Sequence, residues 1–195
     1  MPTPQQQFLL RAAAAARVAG HLYPDFAACE AALESGWGHS QLAVEANNLF
    51  GQKQAHPPLD GTETLSLPTR EFLHGAWVSV QANWVKFSDW ESCFRERMSL
   101  LRSLARAWPN YRRALAAETG EQFIAEVSRT WSTDPARAGK VLSVYDAHRA
   151  IFEDPELPGR EVASQAEPAA PTPPSSAPPP ASSPAPSPAS SSSPA

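Results

Sequence analysis

With 195 residues, 42% of them hydrophobic, the chain is long enough for one domain with a real core, and its formal net charge of −4 gives no attraction to an anionic partner. No basic stripe points to nucleic acid, and no run of about 18 apolar residues is present to span a membrane. Beyond Pro155 lie 12 of the 21 prolines, mixed with Ala and Ser, so residues 1–155 are expected to form the domain and 156–195 a disordered tail. Three acids and one Arg lie in that tail, which leaves the domain near −2.

Thr3 is placed to cap a helix with Pro4 at its first position; Leu9, Ala12, Ala13 and Ala16 recur on one face, and Gly20 ends it. Asp25 opens a second helix in which Phe26, Cys29 and Leu33 make a core-facing stripe, and Gly36 stands where a C-cap glycine belongs. Ser40 caps a short helix over residues 41–46, where Leu42 and Val44 are expected to pack. Glu30 and Glu45 read as solvated helix charges.

From residue 62 to 87 the pattern turns β-rich, in runs over 69–73, 77–80 and 82–87 with Gly75 in the first turn. A small antiparallel sheet between helices fits this. Ser88 and Glu91 form a capping box for a helix to about residue 107, with Phe94, Met98, Leu101 and Leu104 or Ala105 buried, and Trp108-Pro109 stops it. Two helices follow around Gly120, over 111–117 and 121–129. Asp134 or Thr133 then caps a last helix opened by Pro135, with Val141, Val144, Tyr145, His148 and Phe152 along one side. Cys29 and Cys93 fall among apolar neighbours and are expected as buried free thiols. The five histidines show no ligand spacing, so neither a metal nor another cofactor is expected.

The chemistry concentrates in Ala31-Ala32-Leu33-Glu34-Ser35-Gly36-Trp37-Gly38-His39-Ser40, followed by Asn47-Asn48-Leu49-Phe50-Gly51. Glu34 falls in the last turn of its helix, about 100° round from Leu33. There the final carbonyls carry partial negative charge, which disfavours an ionised carboxyl, and Trp37 and Phe50 can add an apolar wall. A carboxylic acid kept protonated near neutral pH is what a glycosidase needs as its general acid. Asn47 and Asn48 are either ordinary turn residues or amides for sugar hydroxyls, each with donors and an acceptor.

This stretch resembles the signature of glycoside hydrolase family 73, the bacterial glucosaminidases, which cut peptidoglycan. The family pattern A-x-A-x-L-E-S-G-W-G-x-S, then N-N-L-F-G-x-K, is met from its second alanine by Ala31, Leu33, Glu34, Ser35, Gly36, Trp37, Gly38 and Ser40, then Asn47, Asn48, Leu49, Phe50, Gly51 and Lys53. Gln52 departs from the usual aliphatic residue. A second segment, T-x-E-[aromatic]-x-x-G-x-W-V, is met by Thr69, Glu71, Phe72, Gly75, Trp77 and Val78. In a third, Y-A-T-D-P-x-Y-A-x-K, Thr133, Asp134, Pro135, Ala138 and Lys140 match, while Trp131 and Arg137 stand where the family has tyrosines.

The resemblance implies a mainly α (α+β), lysozyme-like helical domain with a small antiparallel β lobe and a cleft between them. It implies a β-N-acetylglucosaminidase acting on peptidoglycan glycan strands, with Glu34 as general acid and Glu71 as second carboxylate, Glu63 being the competing choice. Trp37, Asn47, Asn48, Phe50, Trp131 and Arg137 are then the substrate-binding candidates, and Arg137→Tyr is expected to keep or raise turnover. Either Glu71 activates water, with inversion, or the substrate's acetamido oxygen attacks, with retention. The other readings are a lytic transglycosylase, which a missing G-L-M-Q-like segment disfavours, and a wall-binding module without catalysis. Action on the cell wall is expected through phage-mediated release or a specialised export route, or with a leader ahead of the given start, because Arg11 and Arg17 interrupt what a standard signal peptide would keep apolar. Oligomeric state is not legible.

Overall fold

The computed structural model describes residues 1–54, 63–73, 76–132 and 134–154, with the backbone only for 70–73, 76 and 77. The elements are α1 (Pro4–Val18), α2 (Pro24–Ser35), α3 (Gln41–Ala46), β1 (Thr64–Leu73), β2 (Ala76–Val85), α4 (Trp90–Leu104), α5 (Pro109–Leu115), α6 (Gly120–Trp131) and α7 (Arg137–Glu153). The fold is mainly helical with one two-stranded antiparallel sheet. Among the described residues no helix is long and apolar enough to cross a membrane. The expectation for the tail lies outside the described residues.

α2 is the central helix. Ala27, Ala28, Cys29, Ala31 and Ala32 are fully buried, so it is apolar almost all round, and small side chains let α1 and α7 pack close against it. α1 has the expected start, a Thr3 capping box with Pro4 in the first turn, and it buries Leu9, Ala12, Ala13 and Ala16 completely. On α4 the stripe of Phe94, Met98, Leu101 and Ala105 is buried as the spacing implies. Cys29 and Cys93 are buried free thiols. Burial pushes the Cys93 thiol up to about 12, against a weaker opposing pull from the Leu49 N–H that donates to its sulfur.

Several expectations need correction. Leu33 is 36% exposed and Val44 69%, because the last turn of α2 and the outer face of the one-and-a-half-turn α3 emerge from the core. Glu30 is fully buried against the Arg97 and Arg137 guanidiniums; Glu45 is exposed and bonds Gln41. The runs over 77–80 and 82–87 are not separate strands. β2 is continuous from Ala76 to Val85, with Gln81 opposite Pro68, and among the described residues β1 pairs with β2 alone, which leaves an edge that tolerates a proline. Gly75 lies outside the described residues. Residues 52–54 run beside the other edge of β2 through Val85 N–H to Gln52 O and Gln54 N–H to Asn83 O.

The α4 cap is Asp89, not Ser88: its Oδ1 accepts the Ser92 N–H at 2.7 Å, and the Ser88 hydroxyl donates to its other oxygen. α7 begins at Arg137, two residues after Pro135, because Asp134 Oδ1 takes the Ala136 N–H at 2.9 Å in a turn of its own. Thr133 lies outside the described residues.

Candidate active site

The turn after α2 is built by one buried hydroxyl. Ser35 Oγ donates to Ala31 O at 2.5 Å and accepts the Gly38 N–H at 2.8 Å, while Trp37 N–H returns to Ala32 O. Gly36, Trp37 and Gly38 all have positive φ, at 58°, 60° and 79°. For Trp37 that conformation costs about 1–3 kcal/mol, which the surrounding bonds offset. A Cβ on Gly38 would stand 2.9 Å from the Phe8 ring, so the second glycine of the motif is also a packing requirement. The Trp37 ring meets Phe8 and His148 edge-on, on the side of α1 and α7.

Glu34 sits just before this turn with its side chain one-quarter exposed. Its Oε1 accepts from Arg137 Nε at 2.8 Å. The same guanidinium donates from Nη1 to Ser128 Oγ and from Nη2 to Glu30 Oε1, each at 2.8 Å. Arg97 from α4 donates to both Glu30 oxygens, at 2.8 and 2.9 Å. Glu30, Arg97 and Arg137 are 0%, 0% and 2% exposed. Burial alone would raise the Glu30 carboxyl, but Arg97 and then Arg137 outweigh it and hold it below the usual carboxylate range. Burial likewise opposes the Arg137 charge, and Glu30 and Glu34 together outweigh that. Two carboxylates from adjacent turns of α2 thus share two guanidiniums from α4 and α7.

The Arg97 guanidinium is also a layer in an aromatic stack, 4.4 Å from the Phe50 ring centroid and 4.0 Å from that of Trp131. Trp131 forms part of the wall of a cavity of about 850 Å³, with Asn47, Lys53, Glu63, Lys86 and Arg95 among its other linings. Glu34 is not one of them. On its far side Trp131 borders a second depression with Trp108, Ser128, Thr130 and Asp134.

The structure therefore sorts the expected site residues. Glu34 and Arg137 are in contact; Asn47 and Trp131 share the larger cavity. Asn47, at φ 50°, donates to Phe87 O and Ser88 O and joins the α3 end to the start of α4. Asn48 is 1% exposed, its amide taken up by Gln52 O, Val85 O and the Gln52 N–H, so it braces the loop and does not face a sugar. Phe50 is 4% exposed and backs Arg97, and Arg137 is buried in the ion-pair network; neither is a cleft contact of the kind expected. Glu71 lies on β1 opposite Val78 in the backbone register; its side chain lies outside the described residues. Glu63 pairs with Lys86 at 3.2 Å.

Glu30, Arg97 and Ser128 escaped the sequence reading. The one local hint is the spacing of Glu30 and Glu34, because like charges four apart on a helix of alanines repel and are relieved by a cation between them; the hint names no partner. The segment Asp134-Pro135 with Lys140 holds the start of α7: Lys140 Nζ meets Asp134 Oδ2 at 2.7 Å, and that hydrogen bond, with the Ala136 N–H, holds the Asp134 carboxyl below its usual range. Among the described residues no group of three His, Cys, Asp or Glu side chains converges as a metal site would need.

The family model described as "Glucosaminidase: Mannosyl-glycoprotein endo-beta-N-acetylglucosaminidase" matches residues 10–150. The chain belongs to the glucosaminidase family. Among the relatives of this glucosaminidase-family chain, the peptidoglycan hydrolase FlgJ of Pseudomonas aeruginosa is 34% identical over 121 residues, covering 59% of this chain and 29% of that protein. The exo-glucosaminidase LytG of Bacillus subtilis is 27% identical over 130 residues, covering 66% of this chain and 45% of its own length. The chain spans less than half the length of these curated relatives. The crystal structure of the catalytic domain of the autolysin Auto from Listeria monocytogenes superposes with a TM-score of 0.68 at 26% identity, covering 79% of this chain and 89% of that domain. The lysozyme-like helical fold of the family is thus the fold of this chain.

Proposed function

We propose that this glucosaminidase-family domain is a peptidoglycan hydrolase that cuts the β-1,4 bond after N-acetylglucosamine, with Glu34 as the general acid. The observation that carries the reading is the placement of Glu34: a part-exposed carboxyl in the emerging last turn of a mostly buried helix, held at Oε1 by Arg137 where an apolar wall of Trp37 and Phe50 was expected, with no hydrogen-bond partner on Oε2 among the described residues. The relatives named for peptidoglycan hydrolysis and glucosaminidase activity support the substrate class. Protonation of the glycosidic oxygen by Glu34 lets the C1–O bond break, and a water oxygen ends on C1. Glu71 either takes that water's proton or assists while the acetamido oxygen attacks first. The glycan strand is the partner, met at the cell wall, and Trp131 offers a ring face for a sugar.

Incubation with purified peptidoglycan tests this through the new ends. Reducing N-acetylglucosamine supports the reading; an anhydro-muramyl end would assign a lytic transglycosylase, and binding without cutting a wall-binding module. Glu34→Gln keeps the shape but cannot supply a proton, and its hydrolysis is expected to fall by at least about 10²–10⁴-fold with unchanged thermal stability. An active Glu34→Gln enzyme would remove the acid assignment. Glu71→Gln should be comparably severe if Glu71 activates water and milder if the acetamido group attacks; the anomer formed separates the same two routes.

A further inference from the structure

We propose that Arg137 is the positioning residue of Glu34, transmitting to that carboxyl the rigidity of the buried Glu30–Arg97 pair. This rests on the reading of Glu34 as the acid. Glu34 is the outermost charged group of α2, one residue from the helix end, with a long side chain that nothing else in the described structure fixes. Arg137 is 2% exposed, and its three nitrogens are spent in three directions at 2.8 Å: Nε on Glu34, Nη2 on Glu30 and Nη1 on Ser128. A planar guanidinium bound at three corners cannot rotate, so the oxygen it grips is fixed in place. At the far end Arg97 Nη2 reaches both Glu30 oxygens, and its guanidinium lies against the rings of Phe50 and Trp131.

The start of α7 completes the anchor. Asp134 receives the Ala136 N–H and the Lys140 ammonium, and its carbonyl takes the Arg137 N–H at 3.2 Å, so the backbone bearing Arg137 is clamped before its side chain reaches Glu34. At this position the chain carries a buried cation that touches the acid directly. Arg137 thus acts on the reaction through the orientation of Glu34, a dependence that belongs to kcat more than to KM.

The test measures kcat and KM on soluble glycan fragments, per folded molecule, for Arg137→Lys, Ser128→Ala and Glu34→Gln, with melting followed by circular dichroism. Arg137→Lys keeps a buried cation for Glu30 but cannot hold three partners at once. Its kcat is expected to fall about 10–100-fold with KM within about twofold of wild type. Ser128→Ala, which frees one corner only, is expected to lower kcat about threefold or more with little loss of melting temperature. Wild-type kcat in folded Arg137→Lys, with Glu34→Gln inactive, overturns the inference alone. Activity in Glu34→Gln overturns the acid assignment and this inference with it. Should Arg137→Lys fail to fold, Ser128→Ala decides, and an unchanged kcat there counts against the proposal.

Discussion

Glu30 is a carboxylate with no solvent exposure, and its two guanidinium partners make it the electrostatic keystone of α2. Removing one member of a buried pair leaves the others unpaired, a loss of about 3–5 kcal/mol. Glu30→Gln is therefore expected to lower the urea midpoint sharply, since Arg97 and Arg137 then face each other without their shared counter-charge. Arg137→Tyr, which family resemblance favours, is expected to destabilise as well and to lower turnover, because the phenol supplies no charge to Glu30. Equal or higher activity in that variant would show that the phenol can replace the cation. His21 adds a pH dependence. Burial first, then the Arg97 charge, lowers its imidazole to about 3, and its Nδ1 accepts the Tyr23 N–H. The unfolded chain takes up that proton near 6.5 and the folded one only near 3. Its contribution is therefore complete above 6.5 and drains away as pH falls toward 3. Between pH 7 and pH 5 the domain should lose about 2 kcal/mol by urea titration from this group, and His21→Gln should lose correspondingly less.

At the level of elements, three helix ends were legible because capping chemistry is local, while the starts of α4 and α7 were displaced by Asp89 and Asp134. Thr3, Ser40 and Gly36 cap the ends their spacing assigns them. The strands were less legible, since nothing local distinguishes one ten-residue strand from two short ones until its partner is known. Close approach between elements was invisible. Gly120, in the first turn of α6, reads as a separator between two helices, yet a Cβ there would lie 2.1 Å from the Phe26 ring, itself stacked on Tyr145 at 4.0 Å. Gly120→Ala would normally favour a helix, but here it should destabilise by about 1–3 kcal/mol through overpacking. A melting temperature equal to or above wild type would show that Phe26 yields without cost.

For the whole molecule, truncation after residue 155 is expected to leave the melting temperature and the cutting of soluble glycan unchanged. Composition argues this, since Pro, Ala and Ser beyond that point offer few large apolar groups to bury. A drop of many degrees would show that the tail docks on the domain; loss of activity on intact walls alone would give it a role in reach. The sequence by itself determined the helical class, the small sheet, the family and the turn carrying Glu34, because periodicity, caps and an ordered motif act over a few residues. It did not determine which charges are buried. Glu30 and Glu45 look alike as helix glutamates, and Asn48 and Phe50 look like cleft residues beside Asn47. Only the tertiary structure decided that Glu30 is interior, that Arg97 of α4 and Arg137 of α7 neutralise it, that Asn48 turns toward Gln52 and β2, and that Phe50 lies against Arg97. Burial and ion pairing depend on groups as far apart in the chain as Glu30 and Arg137, and no local pattern encodes that separation.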